Sequence, residues 1–307
     1  AVPVPEQAGV SNTTVTMNAA SMNNSGFEFS ATYRNRDRDF KYELSANLST
    51  LRNRVTSLGF GTDSYISGAY ITNVGQEIGQ FYGWAYEGIA RTQEDLDNHA
   101  TQEGAQIGDC LYKDISGPDG KPDGKVDAND QVVLGSGMPK IHFGLNARFE
   151  YKRFDLSIAT FGALNYHVSD DIYNSLNSCY GWGNKEVGML DANRFSEDGS
   201  TYLSNVPRTY VTNSASLGWN DLFSSRKIQN AAYWKIANVE LGYNFPNEWF
   251  GKYVSDVRFY VSAQNLHTFT GYHGYNVDYA GGTFTPGYNF CSYPTARTFM
   301  CGVHFTF

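Results

Sequence analysis

The sequence predicts an all-β fold, an antiparallel sheet of the kind that walls a transmembrane β-barrel, and three observations carry that prediction. Apolar and polar residues alternate at period two over several segments of about ten residues. Short turns alternate with long loops along the chain. Aromatic residues crowd the short turns, as they do where a barrel wall meets lipid headgroups.

The clearest segment runs from Lys140 to Asn165. Ile141, Phe143, Leu145, Ala147, Phe149 and Tyr151 alternate with His142, Gly144, Asn146, Arg148, Glu150 and Lys152, giving a strand one apolar and one polar face. After a break at Lys152 and Arg153, Phe154, Leu156, Ile158 and Leu164 continue the apolar face opposite Asp155, Ser157, Ala159 and Asn165. This predicts a hairpin with a tight turn. Its strands approach the length that a tilted strand needs to cross a bilayer. A soluble β-sandwich could use the same hairpin, so the connections must decide.

Residues 1–20 are rich in Asn, Thr, Ser and Ala without a clear period. Phe27, Phe29, Ala31 and Tyr33 then alternate with Glu28, Ser30 and Thr32, and a charged turn at 35–39 leads into Phe40, Tyr42, Leu44, Ala46 and Leu48. The stretch 55–139 breaks the rhythm, with strand character only from Ile78 to Ile89; loops that long are usually functional. A second irregular stretch, 166–232, follows the hairpin. Tyr233, Ala237, Val239, Leu241, Tyr243 and Phe245 are then expected on one face of a strand stopped by Pro246. Beyond the aromatic turn 246–255 come Val257, Phe259, Val261 and Ala263, a third loop at 265–296, and a last strand with Phe299, Cys301, Val303, Phe305 and Phe307 in one phase.

At 307 residues with no linker-like stretch, the chain reads as one unit. Hydrophobic residues are 41%, aromatics 15% and mean hydropathy −0.43, so no apolar run reaches the length of a transmembrane helix. Barrel strands escape that test because half their residues face a polar lumen. A net charge of −8 and a pI near 5.2 argue against a nucleic-acid partner. The N-terminus has neither the basic region nor the apolar core of a signal peptide. Cys110, Cys179, Cys291 and Cys301 show no CxxC spacing, which argues against zinc or thioredoxin-type chemistry. Cys301 lies on the apolar face, where a buried free thiol is the default. The other three fall in loops, where one disulfide among them is allowed in an oxidising compartment.

Short turns near 35–39, 152–153 and 246–255 alternate with loops near 55–139, 166–232 and 265–296. Outer-membrane barrels sort their connections this way, with short periplasmic turns and long extracellular loops, whereas a sandwich has no reason to. About seven spanning strands follow. An odd number leaves the first and last strands running the same way, and open edges in lipid would leave N–H and C=O groups unpaired. The sheet is therefore expected to pair with strands outside this sequence.

Several motifs carry a family resemblance. Gly108–Asp109, Tyr112–Lys113–Asp114–Ile115, the run Asp123 to Asp130, Gly135 and Pro139–Lys140 resemble the late barrel segment of SusC/RagA-like TonB-dependent transporters. So do the runs from Gly79 to Gly83, Asn238 to Pro246 and Ser262 to Leu266, then Gly271–Tyr272, Gly274–Tyr275 and Pro294 to Thr298, in the family's order. The resemblance implies that residues 1–307 are the C-terminal part of a plugged barrel of about 22 strands, with plug and N-terminal strands elsewhere. It implies an energy-dependent importer in the outer membrane of a Bacteroidetes-type Gram-negative cell. Its partners would be a SusD/RagB-like surface lipoprotein as lid, TonB through the N-terminal part, and a glycan or peptide substrate. No cofactor is required.

Candidate sites are few. Asp119, Asp123, Asp127 and Asp130, with Gly124, fit positions 1, 5, 9, 12 and 6 of a calcium loop. Lys121 at position 3 and Asp in place of Glu at position 12 depart from it, and an Asx- and Gly-rich turn without metal has the same composition. His99, His142, His167, His267, His273 and His304 lie on different elements without HxxxH spacing, and no nucleophile elbow occurs. Asp170 and Asp171, adjacent in an extended segment, would point to opposite sides. No catalytic residue is assigned and the chain is not read as an enzyme. The loop aromatics Tyr180, Trp182, Trp219, Tyr272 and Tyr275 could stack on sugar rings or peptide side chains, or pack their own loops. They also keep open a different class of function, a surface adhesin or lectin that binds glycans without transport. Phe307, a terminal aromatic, is assigned as an assembly signal on the resemblance, with an interface-belt aromatic as the plain alternative.

Overall fold

The structure, a computed structural model, describes residues 2–3, 14–15, 20–59, 61–178, 184–189, 204–208, 218–250, 254–278 and 281–307. Seven strands form one antiparallel sheet: β1 (Glu28–Asn35), β2 (Phe40–Thr50), β3 (Ile141–Tyr151), β4 (Phe154–Leu164), β5 (Tyr233–Asn244), β6 (Asp256–Thr270) and β7 (Thr298–Thr306). Each pairs with its neighbours in this series, and β1 and β7 are the sheet's two edges. The count and connectivity match the alternation in the sequence. The β3–β4 hairpin is paired without interruption from Ile141↔Leu164 to Tyr151↔Phe154, and Lys152 turns it with a left-handed φ of 54°.

The two faces differ as the period requires. Leu44, Leu145, Leu241, Val261, Val303 and Phe305 are all exposed on the outer face, Leu145 at 48% and Val303 at 50%. No protein layer covers this face among the described residues, which a soluble sheet could not sustain. Aromatics cluster at the short-turn end: Phe40 stacks on Phe149 at 6.0 Å, and Phe154 meets Tyr243 at 4.8 Å. The inner face is polar and charged. There Gly302 leaves room for Tyr260, since a Cβ on Gly302 would come within 2.6 Å of that ring.

Period two fails in one place. The β4–β5 register shifts between Ala159 and Thr160, where Ala237 is an extra residue on β5, and the β5–β6 register shifts at the same level, where Asn265 and Leu266 of β6 lie opposite Ala237 alone. Such a bulge reverses the facing of everything before it. Tyr233 is therefore buried at 8% rather than on the outer face with Val239 and Leu241, and Trp234 turns outward to stack on Phe269 at 5.4 Å. Strand β6 runs on to Thr270 through Asn265, whose φ is 51°, so the third loop begins later than the alternation suggested.

The long loops are structured. The first holds a four-stranded sheet of Ser64–Ser67, Tyr70–Asn73, Gln80–Trp84 and Gln131–Ser136, and a pair of Tyr86–Ile89 with Cys110–Tyr112. In the second, His167–Asp170 pairs with Gln229–Asn230 and, in parallel, with Tyr288–Asn289 of the third. The buried clusters sit at this end: one joins Ala163, Tyr166, Val168, Tyr233, Tyr272 and Val277, another Cys110, Tyr112 and Val126. Cys110 is buried and Cys291 exposed, while Cys301 is exposed on the outer face rather than buried. Cys179 lies outside the described residues. No helix among the described residues is long and apolar enough to cross a membrane.

Candidate functional site

The inner face carries its charge in pairs. Near the short turns, Arg258 of β6 donates to both Asp155 oxygens, at 3.0 and 2.5 Å, and to Glu240 at 2.7 Å. These three come from adjacent strands, and Gly242 between them leaves space for the guanidinium. Arg34–Glu43 at 2.7 Å and Arg148–Glu150 at 3.0 Å extend the row in more exposed positions. Such a row is stable only where water or polar protein faces it.

At the long-loop end the inner face meets the loops in a cleft of about 620 Å³. His142 and Ala163 line it from the wall, and Met138, Val277 and Pro286 from the loops. Lys235 of β5, 4% exposed, reaches Asp278 of the third loop at 2.5 Å. Tyr166 donates to the Val277 carbonyl at 3.1 Å, and burial pushes its phenol up from the ordinary tyrosine range.

Two buried polar clasps hold the loops together. Arg208 donates to both oxygens of fully buried Asp109, at 2.6 and 2.9 Å, and Asn220 donates to Asp109 at 2.7 Å and accepts from the Cys110 amide at 2.7 Å. This ties the first loop to the second. The Tyr272 hydroxyl donates to Asp170, and Asn289 donates to both, which ties the second loop to the third. Asp170 also caps the helix Asp171–Leu176 by accepting from the Tyr173 amide at 2.9 Å.

The described loop aromatics Trp219, Tyr272 and Tyr275 have different surroundings. Trp219 packs against Tyr112, with centroids 6.2 Å apart, and its indole donates to the Glu103 carbonyl at 2.9 Å. Tyr272 is 5% exposed inside its clasp, whereas Tyr275 is 67% exposed. Tyr180 and Trp182 lie outside the described residues. The sequence reading missed Asp109, Arg208 and Asn220. The pair of Asp109 with its preceding glycine was visible only as a family motif.

The acidic loop is satisfied by its own backbone. Asp130, wholly buried, accepts from the amides of Ile115 at 2.7 Å, Ser116 at 3.0 Å and Asp127 at 2.7 Å. Burial works against its charge, but the Ser116, Asp127 and Ile115 amides outweigh it and hold its carboxyl below the ordinary range. Asp127 accepts from Asn129 at 2.7 Å and Asp123 from Lys125 at 3.1 Å, while Asp119 is exposed. Asp114, unremarked for metal, accepts from Gly124 at 2.7 Å. Among the described residues no three acidic, histidine or cysteine side chains gather in a way that could hold a metal ion. His99 reaches Glu87 at 3.2 Å, and His167 is held below its ordinary pKa by burial and by nearby Lys140. Phe307, 88% exposed, follows the last paired residue of β7.

An open antiparallel sheet with an uncovered apolar face, a charge-paired inner face and a loop cap defines the wall of a membrane barrel. No family model matches the chain. Over 99% of its length it is 30% identical to TonB-dependent receptor P3 of Formosa agariphila, of which it spans 30%. Over 96% it is 25% identical to TonB-dependent receptor SusC of Bacteroides thetaiotaomicron, of which it spans 27%. Its fold matches all of the chain to 31% of a chain in the structure of the RagAB peptide transporter, with a TM-score of 0.78 at 22% identity. The chain is thus similar over nearly its whole length to TonB-dependent receptors, SusC among them, as its motifs indicated, and these relatives are named as receptors or transporters rather than enzymes. It spans under a third of their length.

Proposed function

We propose that this chain forms part of the wall and outer mouth of an outer-membrane importer for oligosaccharides or oligopeptides. In this reading the short turns face the periplasm and the long loops the exterior. Strands outside this chain complete the barrel at the edges of β1 and β7, a SusD/RagB-like lipoprotein covers the loops, and TonB supplies energy through another part of the protein. The observation that carries the reading is the opposition of faces in one sheet: Leu145, Leu241 and Val303 stand exposed outward while Asp155, Glu240 and Arg258 are paired inward. Only a wall between lipid and a wet lumen suits both. The likeness to SusC and to the RagAB structure supports it.

The acidic loop, in the same reading, needs no calcium, because Asp114, Asp123, Asp127 and Asp130 already accept from backbone amides. Of the candidates Trp219, Tyr272 and Tyr275, Tyr275 is the most exposed and the one placed to meet cargo. The test is deletion of the whole gene in its host, followed by uptake of labelled oligosaccharide and oligopeptide mixtures with and without collapse of the inner-membrane proton gradient. Loss of uptake of one cargo class on deletion, mimicked by gradient collapse, is expected. Unchanged uptake of both would overturn the proposal.

A further inference from the structure

We infer that the cleft at the mouth is a subsite for an uncharged, apolar side chain of a passing oligopeptide. The inference rests on the import reading and narrows its cargo. The cleft opens inward, since its wall residues His142 and Ala163 belong to the inner face, so it borders the lumen rather than lipid. Its accessible apolar surface comes mainly from Leu51, Met138 and Pro139, with Ile78, Val277 and Pro286 largely buried in the lining. At about 620 Å³ it falls in the range of ligand pockets and exceeds one side chain, leaving room for the flanking backbone.

Several polar groups around it are already engaged, while His142 and Thr283 stand exposed at its edge. Lys235 and Asp278 pair with each other, and the Tyr166 hydroxyl is held by the Val277 carbonyl. Asn53 donates to Asn24 at 2.5 Å and accepts from the Ile78 amide at 3.0 Å. A sugar carries a hydroxyl on most of its carbons, and each one buried here without a partner costs free energy that an alkyl group does not. The aromatic face that commonly offsets that cost for sugars is absent from the described lining, because Tyr166 and Tyr233 are buried at 2% and 8%. A free charge is equally unsuited, since the buried Lys235 and its partner Asp278 already neutralise each other. Met22 and Met138 at the lining are flexible and polarisable, so the subsite selects for apolarity more than for shape.

The test uses the full-length receptor with its native partners in detergent. Two alanine pentapeptides with leucine or serine at the centre, and a neutral glucose pentasaccharide, are titrated calorimetrically. The leucine peptide is expected to bind about tenfold more tightly than the serine peptide, the ratio that burying a few methyl-sized groups gives. Thr283→Trp, which fills the cleft from an exposed loop position, and Met138→Glu, which charges it, should each abolish that ratio. Tyr275→Ala should not. Equal binding of the two peptides, or a ratio untouched by both cleft variants, overturns the inference. So does pentasaccharide binding that Thr283→Trp weakens. A Met138→Cys thiol that a small alkylating reagent cannot reach above the parent's own thiols also overturns it, because another part of the protein would then fill the cleft. If deletion of the gene spares uptake of peptides and oligosaccharides alike, it is the import reading that falls; if uptake stands and the leucine preference is missing, only the subsite falls.

Discussion

In the wall, large apolar side chains such as Leu145, Leu241 and Val303 stand about half exposed, whereas in the loops Phe81, Tyr112 and Tyr166 are 0–2% exposed. Polar groups are arranged the other way round. The wall keeps Arg34–Glu43 and Arg148–Glu150 accessible on the inner face, while the loops bury Asp109, Asp130 and Asp170 and satisfy each with several donors. The difference teaches that one chain is folded for two solvents. The wall takes its stability from cross-strand pairing and an external apolar phase. The loops form a water-soluble body with its own core, where each polar group removed from water must find a partner.

Breaking the loop body without touching the wall is the largest effect expected. Asp109→Ala leaves Arg208 and Asn220 without their buried acceptor and should cost the loops about 3–5 kcal/mol, nearer the lower figure because Arg208 is partly exposed. Hydrogen exchange of residues 101–112 would rise while the heat-modifiable migration of the barrel stays as before. Equal loss in both regions would merge what the comparison separates. Next comes the wall: Leu145→Arg should cost about 2–4 kcal/mol of barrel stability in lipid, and Asn146→Arg on the inner face much less, measured by denaturant titration in bilayers. Equal costs would reject the facing of β3.

Phe307→Ser sharpens the comparison at the wall's end. As a belt aromatic its loss costs at most about 1.5–3 kcal/mol and leaves an assembled barrel. As an assembly signal it leaves folded protein largely missing from outer-membrane fractions, although detergent-refolded material is nearly as stable as the parent. Wild-type amounts in the membrane would leave only the belt role. A smaller effect belongs to Asp130→Asn, at about 1–2 kcal/mol of loop stability for the lost charge-assisted bonds. Because the folded pKa of Asp130 is depressed, its contribution is present above the ordinary carboxylate pKa and is lost as pH falls through the folded value. The parent's loop exchange should therefore rise in acid, and the Asn variant should show less of that rise.

The smallest concerns His167. Its folded pKa is also depressed, so the unfolded loop takes up a proton first as pH falls below about 6.5, and loop stability declines there. His167→Gln should flatten that decline, and an unchanged profile would remove His167 from the account.

The wall was legible in the sequence because its signal is local. Alternation from Phe40 to Leu48 or Ile141 to Tyr151 fixes both strand and facing, and turn length fixes which end is which. The bulge at Ala237 was not legible, since one extra residue looks like a pause in the period until the partner strand counts it. The loops were hidden for a different reason. Asp109 meets Arg208, and Tyr272 meets Asp170, about a hundred positions away, and no periodicity connects them. Trp219 and Tyr272 could be read either as ligand aromatics or as loop packing, because a polar loop gives no local sign of having a core. The resemblance located these loops in a family, but it did not say which side chains they bury.

The glycines on the inner face bear on how the wall finds its alignment. A slip of one residue between strands is forbidden by the faces themselves, since it would turn every apolar side chain inward. A slip of two keeps the faces and would pass that check. Gly302 opposite Tyr260, and Gly144 opposite Asn47, act as notches that only the native alignment brings under the side chains they accommodate. Shifted by two, Tyr260 would meet Met300 or His304, which fill the space that Gly302 leaves open. The wall is thus keyed like a lock with two wards, one read by solvent and one by shape, and a strand zipping into place is checked by both.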